Sequence, residues 1–373
     1  MNALLRRSRR HPNMTVRYEE DLRLLQSGWQ KVAIVFAVVV WLAGPTFLSD
    51  FQLLVLNYAG AAAIGAVGLN LLTGFTGQVS LGHAFFLGVG AYAAAQIGGE
   101  WDLPLVIWLP LAAVAGGLLG ALIGPFALRL RGNYLVIVTL GLLFLGDHIF
   151  KEWESLTGGL AGRSISPPLE LGPFDFSGMD LFGETFRRQE ALFWLIWFLV
   201  GLSMLLAKNI VRTRPGRAMQ AVRDRDLAAE VIGVSLGRYK VGAFAISSAF
   251  AAVAGAMYGA VQQYVSPTEW SLFLSIQFIA IIIIGGLATV YGSVIGAVVV
   301  GGLPRVIEEI SRSRDLPFVQ GDAGGAEGFI SVFALNQAIF GLLIVLFLIL
   351  EPRGIAAAWF RIKAYFRAWP FSY

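Results

Sequence analysis

Between residues 51 and 99 the chain carries no Asp, Glu, Lys or Arg. So long a run without formal charge belongs in hydrocarbon, because soluble domains place a charge at roughly one residue in four. The whole chain of 373 residues follows suit, with 57% hydrophobic and 14% charged residues. A helix needs about 20 apolar residues to cross a hydrocarbon core of roughly 30 Å. Apolar runs lie at 30–49, 51–73, 82–98, 104–128, 133–150, 191–208, 239–262, 272–288, 290–308 and 331–350. The expectation is an all-α polytopic membrane protein of about ten transmembrane helices, some short or broken. The third, eighth and ninth runs are the ones that glycine interrupts and that could be re-entrant or broken.

The basic residues set the orientation. Six arginines, Arg6, Arg7, Arg9, Arg10, Arg17 and Arg23, precede the first apolar run, which exceeds the 7 to 15 residues of a signal-peptide core. It therefore reads as a retained span. Ten crossings from a cytoplasmic N-terminus put 21 of the 28 Lys and Arg residues on the inner side, as the positive-inside rule requires. The expected division is a basic cytoplasmic segment at 1–31, a permease domain at 32–350 and a basic cytoplasmic tail at 351–373. Within the domain, 151–190 is an outer loop and 209–239 a cytoplasmic loop. The net charge of +4 sits beside apolar spans rather than along one soluble face, which argues against nucleic acid and for membrane lipid as the basic residues' partner.

Two glycine-rich breaks interrupt the apolar pattern. The first holds Gly68, Asn70, Thr73, Gly74, Thr76, Gly77, Gln78, Ser80, Gly82 and His83. Backbone groups left unpaired in hydrocarbon cost several kcal/mol, so such a stretch must face protein or a water-filled cavity. Broken helices expose free N–H and C=O groups that hold a zwitterion without any arginine. A plain turn at the cytoplasmic surface explains the same spacing. The second break, from Gly285 and Gly286 to Gly292, falls at the corresponding turn between the eighth and ninth runs and hints at an internal repeat. Asn70, Thr73, Gly74, Gly77, Gln78, Ser80, Gly82, His83, Gly285 and Gly286 are thus the candidate lining of a substrate path. Gly116, Gly120 and Gly124, Gly255 and Gly259, and Gly292 and Gly296 read as helix-packing positions.

Several chemistries are excluded or weakened. Cysteine is absent and there are three histidines, which leaves little for a disulfide, a metal site or a thiol nucleophile. No lysine follows a glycine, so a nucleotide-binding loop cannot be built and ATP must be hydrolysed by another chain. No cofactor or catalytic residue is expected. Ionisable residues within the runs are few: His83, Asp147 with His148, and Arg305 and Glu308 towards an outer end. Asp147 and His148 point to different helix faces and make a poor proton relay. A self-sufficient carrier and an intramembrane enzyme are the weaker classes.

In the inner loop, Pro215 fits the first turn of a helix, with an apolar stripe of Met219, Val222, Ala229, Val231 and Ile232. The residues at 68–95, Ser155-Leu156-Thr157-Gly158-Gly159, Arg214-Pro215-Gly216-Arg217-Ala218 through Arg238-Tyr239-Lys240, Tyr264-Val265-Ser266-Pro267, Ile284-Gly285-Gly286-Leu287 and Glu351-Pro352-Arg353-Gly354 resemble LivM-type permeases of branched-chain amino acid importers. The resemblance runs from about 50 to 356. It implies an ABC importer in the bacterial inner membrane, with a related second permease subunit, two cytoplasmic ATPase subunits and an extracytoplasmic solute-binding protein. Leucine, isoleucine or valine would be the cargo, although relatives also carry urea, short amides or other amino acids. It also implies a cytoplasmic coupling helix. Leu227-Ala228-Ala229-Glu230-Val231-Ile232-Gly233 has the Glu-Ala-Ala, three residues, Gly spacing of ATPase-docking helices, with Leu227 in place of the acid. Arg214, Pro215, Gly216, Arg217, Ala228, Ala229, Glu230 and Gly233 are the coupling residues so implied.

Overall fold

A computed structural model describes residues 28–128, 134–171, 174–175, 180–181, 184–185, 187–313, 319–320, 330–351 and 354–368. Most of the basic segment expected at 1–31, the pair Pro352 and Arg353 and the end of the basic tail lie outside the described residues. The chain divides into two units, Met1–Ser49 and Asp50–Tyr373. The first contributes helix α1, Gly28–Phe47, with Pro45 near its end, where the ring removes one i→i−4 hydrogen bond shortly before the helix stops.

The second unit is built around α2, Asp50–Thr76, whose side chains are buried on nearly every side from Asn57 onward. A helix apolar all round belongs inside a bundle. After a six-residue break come α3, His83–Ala93, which continues as a π-helical turn through Glu100, then α4, Leu105–Leu128, and α5, Tyr134–Glu152. Next follow α6, Arg188–Arg212, the short α7, Arg214–Asp224, and α8, Asp226–Val231, and then α9, Leu236–Gln262. The chain closes with α10, Leu272–Gly285; α11, Val290–Gly296, with a π-helical turn to Gly301; α12, Leu303–Ser313; α13, Val332–Leu350; and α14, Gly354–Ala368.

Helix α9 packs against α2, α3 and α4, and small residues set how closely. A Cβ added at Gly255 would lie 1.9 Å from the carbonyl oxygen of Leu87, and one at Gly90 would lie 1.9 Å from that of Ala252. Gly116 and Gly120 press on Ser248 in the same way, and Gly124 on Val241. Backbones this close gain dispersion contacts that longer side chains would forbid. The expected packing role of these glycines is thus met by particular neighbours.

Among the described residues, five helices are long and apolar enough to cross a membrane: Asp50–Thr76, Leu105–Phe126, Arg188–Arg212, Leu236–Gln262 and Val290–Ile307. Helices overlie all ten apolar runs, and Leu272–Gly285 is one of the shorter apolar ones. The expected interruptions fall where glycine accumulates, after α2 and between α10 and α11. The inner loop differs from its sequence reading. One helix was expected there, but Arg225 is extended at φ −157° and ψ 102° and splits it into α7 and α8.

Two ends of the bundle can be told apart. One, the basic end, gathers residues 77–82, 208–240, 286–289 and the start of α14. The opposite end gathers residues 94–104 and 152–171 with the turn after α9. There Arg163 and Ser164 pair antiparallel with Val265 and Tyr264, and Trp108 Nε1 donates to the Pro168 carbonyl at 2.9 Å.

Candidate functional site

At the basic end the two glycine-rich breaks meet through one side chain. Asn70, on α2, is 1% exposed. Its Nδ2 donates to the Thr289 carbonyl at 2.9 Å and to Ser293 Oγ at 2.7 Å, and its Oδ1 accepts from the Ala288 N–H at 2.9 Å. Ala288 has φ +58°, a left-handed conformation that costs a residue with a Cβ of order 1 kcal/mol or more. The Asn70 clamp holds it there. Gly74 lets this happen, since a Cβ there would lie 1.9 Å from Asn70 Oδ1 and 2.5 Å from the Ala288 nitrogen. Gly285 and Gly292 cross as closely, at 1.9 Å from added Cβ to carbonyl oxygen. Gly286, at φ +125°, receives Gly354, the first residue of α14, against its backbone.

The first break is satisfied by protein. The Gly77 and Gln78 N–H groups donate to Thr73 and Leu72 carbonyls, and Thr73 Oγ1 donates to the Gln78 carbonyl at 3.0 Å. Gln78 Nε2 reaches the Lys240 carbonyl at 3.3 Å. The Leu81 N–H donates to Thr139 Oγ1, the Gly82 N–H to Ser80 Oγ, and the Ala84 N–H to Ser275 Oγ. His83 is buried with its ring centroid 4.9 Å from that of Phe278, and its Nε2 meets no partner among the described residues. The candidate path residues therefore fall in one contiguous region, with Gly285 and Gly286 brought to α2 by Asn70.

The short helices lie against this region. Arg223 Nη1 donates to the Gly74 carbonyl at 3.0 Å, where a cation meets the negative end of α2. Gly216 is buried against the Ile210 and Val211 carbonyls, with Met219 and Val222 beside it. Arg214 and Pro215 begin α7, and Arg217 Nη1 reaches the Arg212 carbonyl at 3.1 Å. In α8, Ala229 is 1% exposed and points inward, while Ala228, Glu230 and Gly233 are exposed. The outward apolar face belongs to Leu227, Val231 and Ile232, at 68%, 87% and 76% exposure. The sequence pattern groups Ala229 with Val231 and Ile232; in the structure Ala229 is buried and the other two are exposed.

The opposite end holds a group that sequence reasoning missed. A cavity of about 160 Å³ opens between α2, α9, α10 and the turn before α12, lined by Tyr58, Tyr258, Trp270, Gln277, Phe278 and Arg305 among others. The Arg305 guanidinium lies 4.3 Å from the Tyr58 ring centroid. Gln262 Oε1 accepts from Tyr58 OH at 3.2 Å and from Arg305 at 3.3 Å, and Gln262 Nε2 donates to Glu269 at 2.5 Å. Burial pushes the Glu269 carboxyl up to about 7. Arg305 in an apolar run was the single sequence signal; its partners are scattered over more than 200 residues of chain. The side chain of Glu308 lies outside the described ones.

A helical bundle with membrane-length spans and buried glycine crossings is the architecture of a polytopic membrane protein. The chain belongs to the family described as branched-chain amino acid transport system / permease component, whose profile matches residues 52–349. It is 32% identical over 282 residues to the high-affinity branched-chain amino acid transport system permease protein LivM of Salmonella typhimurium, covering 72% of this chain and 66% of that protein. LivH of the same organism is 24% identical over 309 residues, covering 79% of this chain and 90% of LivH. The ribose import permease protein RbsC of Haemophilus influenzae is 24% identical over 291 residues, covering 75% and 84%. The chain thus spans just under two thirds of the LivM length. No solved structure matches.

Proposed function

We propose that the chain is the membrane-spanning permease subunit of an ATP-driven importer and provides part of the path for branched-chain amino acids. Both termini face the cytoplasm, and the basic end is the cytoplasmic end. The partners are a related second permease subunit, two ATPase subunits and an external solute-binding protein. The two glycine-rich breaks, Asn70 to His83 and Gly285 to Gly286, form the inner closure of the path. The loop at 151–190 meets the binding protein, a contact that cross-linking from Glu170 and Asp175 would report.

The observation that carries this reading is the apolar face of Leu227, Val231 and Ile232. It lies exposed on a helix pair that Arg223 ties to the Gly74 carbonyl at the inner closure. An ATPase that grips this face can pull directly on the break. Replacing Leu227, Val231 and Ile232 together with Ser should leave the chain folded, since exposed changes stay within about 0.5 kcal/mol each. It should cut ATP-driven leucine uptake at least about tenfold in vesicles holding the assembled transporter. Uptake that is unchanged would remove the docking role, and uptake that persists without ATP would favour a self-sufficient carrier. Competition by urea, a short amide or ribose, with none by isoleucine, would reassign the cargo.

A further inference from the structure

The cavity at the opposite end combines one cation, a row of aromatic rings and an apolar floor. Arg305 is pre-positioned by stacking on Tyr58 and by the hydrogen bond to Gln262, and a planar guanidinium held in place is suited to a carboxylate. Tyr258 and Trp270 stand 5.9 Å apart, centroid to centroid, on the same wall, and their faces attract an ammonium. Gln277 adds a carbonyl oxygen. Ala61, Leu87, Phe278 and Ile281 supply apolar lining away from the arginine. The volume of about 160 Å³ falls below the roughly 300–1,000 Å³ of pockets for drug-sized ligands, which limits the occupant to one small solute.

We propose that this cavity is a binding site within the single permease chain for one α-amino acid with an apolar side chain. Arg305 takes the carboxylate, Gln277 and the rings of Tyr258 and Trp270 take the ammonium, and Leu87, Phe278 and Ile281 take the side chain. An arginine placed inside a membrane bundle is costly and marks a site of function, and here it faces a space of matching size. The cargo class rests on the permease reading above. The site lies at the end of the bundle opposite the inner closure around Asn70. It would receive the solute before that closure opens.

The chain contains no cysteine, so Leu274→Cys in the full-length protein gives a single reporter at the cavity wall. Its rate of reaction with a small anionic thiol reagent would be measured with millimolar L-leucine, isocaproate, isoamylamine or D-ribose. L-leucine should slow labelling at least about fivefold, isocaproate less, and isoamylamine and ribose hardly at all. Adding Arg305→Gln should abolish the leucine effect, and Arg305→Lys should retain part of it. Val231→Cys, exposed at the other end, should label at one rate in all these backgrounds. The site is refuted if leucine leaves Leu274→Cys unaffected, if isoamylamine protects as well as leucine, or if protection survives Arg305→Gln. Should Arg305→Gln not accumulate, the leucine and isoamylamine comparison in the unaltered Arg305 background decides alone. ATP-driven leucine uptake without protection would end the site and leave the permease reading; protection without such uptake would do the reverse.

Discussion

The two ends of the bundle handle buried polarity in opposite ways. Around Asn70 the donors and acceptors of one amide side chain all meet backbone or hydroxyl partners from a second break more than 200 residues away, and glycines bring the backbones into contact. Around Arg305 the polar row from Tyr58 through Gln262 ends at Glu269, whose Oε2 is buried and meets no partner among the described residues. A space remains beside it. The first arrangement is a lock whose energy lies in complete hydrogen bonding; the second leaves one buried carboxyl oxygen unmet among the described residues, with room beside it. A glycine-rich uncharged stretch in a membrane chain is therefore evidence of close backbone contact before it is evidence of a cavity.

If that contrast is right, the largest effect should come from filling the closed end. Gly285→Val pushes a side chain into the Gly292 carbonyl, which already lies 1.9 Å from an added Cβ. It should destabilise by at least about 3 kcal/mol, the upper part of the overpacking range, and be seen as lost accumulation of folded protein in detergent. A variant of normal yield and melting temperature would show that the crossing is loose. Next in size, Asn70→Ala leaves the Ala288 N–H without its partner and should cost about 1–3 kcal/mol. Thermal unfolding in micelles would measure it, and a shift under about 0.5 kcal/mol would sink the description of a lock.

The smallest effect belongs to the open end and depends on pH. The folded-state pKa of Glu269 is raised from 4.5 to about 7, burial being the chief cause and Arg305 and Gln262 opposing it; Tyr92 and Tyr258 are the other titratable groups that face it. The contribution is fully present below about 4.5 and is lost as pH rises through about 7. Melting temperature should therefore fall across that window, by the equivalent of about 1–2 kcal/mol once partial exposure is allowed for. Glu269→Gln should flatten the profile. An identical pH dependence in the variant would mean that the carboxyl is solvated in the folded protein.

Much of this was legible without coordinates. The run from 51 to 99 without charge, the ten apolar runs and Pro215 at a helix start were enough to give a helical membrane bundle with an extra helix in the basic loop, because hydrocarbon admits few alternatives. Motif order pointed to the family. The demand that the break at 77–82 satisfy its backbone was also readable, though whether against protein or water was not.

Tertiary structure alone decided the rest. Asn70 contacts residues 286–293 because helices α2, α10 and α11 happen to cross there, and no local pattern carries a separation of that size. Ala229 is buried with Met219 and Val222 as the stripe predicts, but Val231 and Ile232, counted in the same stripe, face outward, because which apolar residues are covered depends on what the helix packs against, which periodicity cannot register. Tyr58, Tyr258 and Gln277 look like unremarkable members of three separate segments, and Arg305 stands out only as an ionisable residue in a fourth. They share one cavity only because apolar burial and glycine crossings fix those segments side by side. Composition and period are properties of a chain read locally, whereas a site is a property of distances between its distant parts.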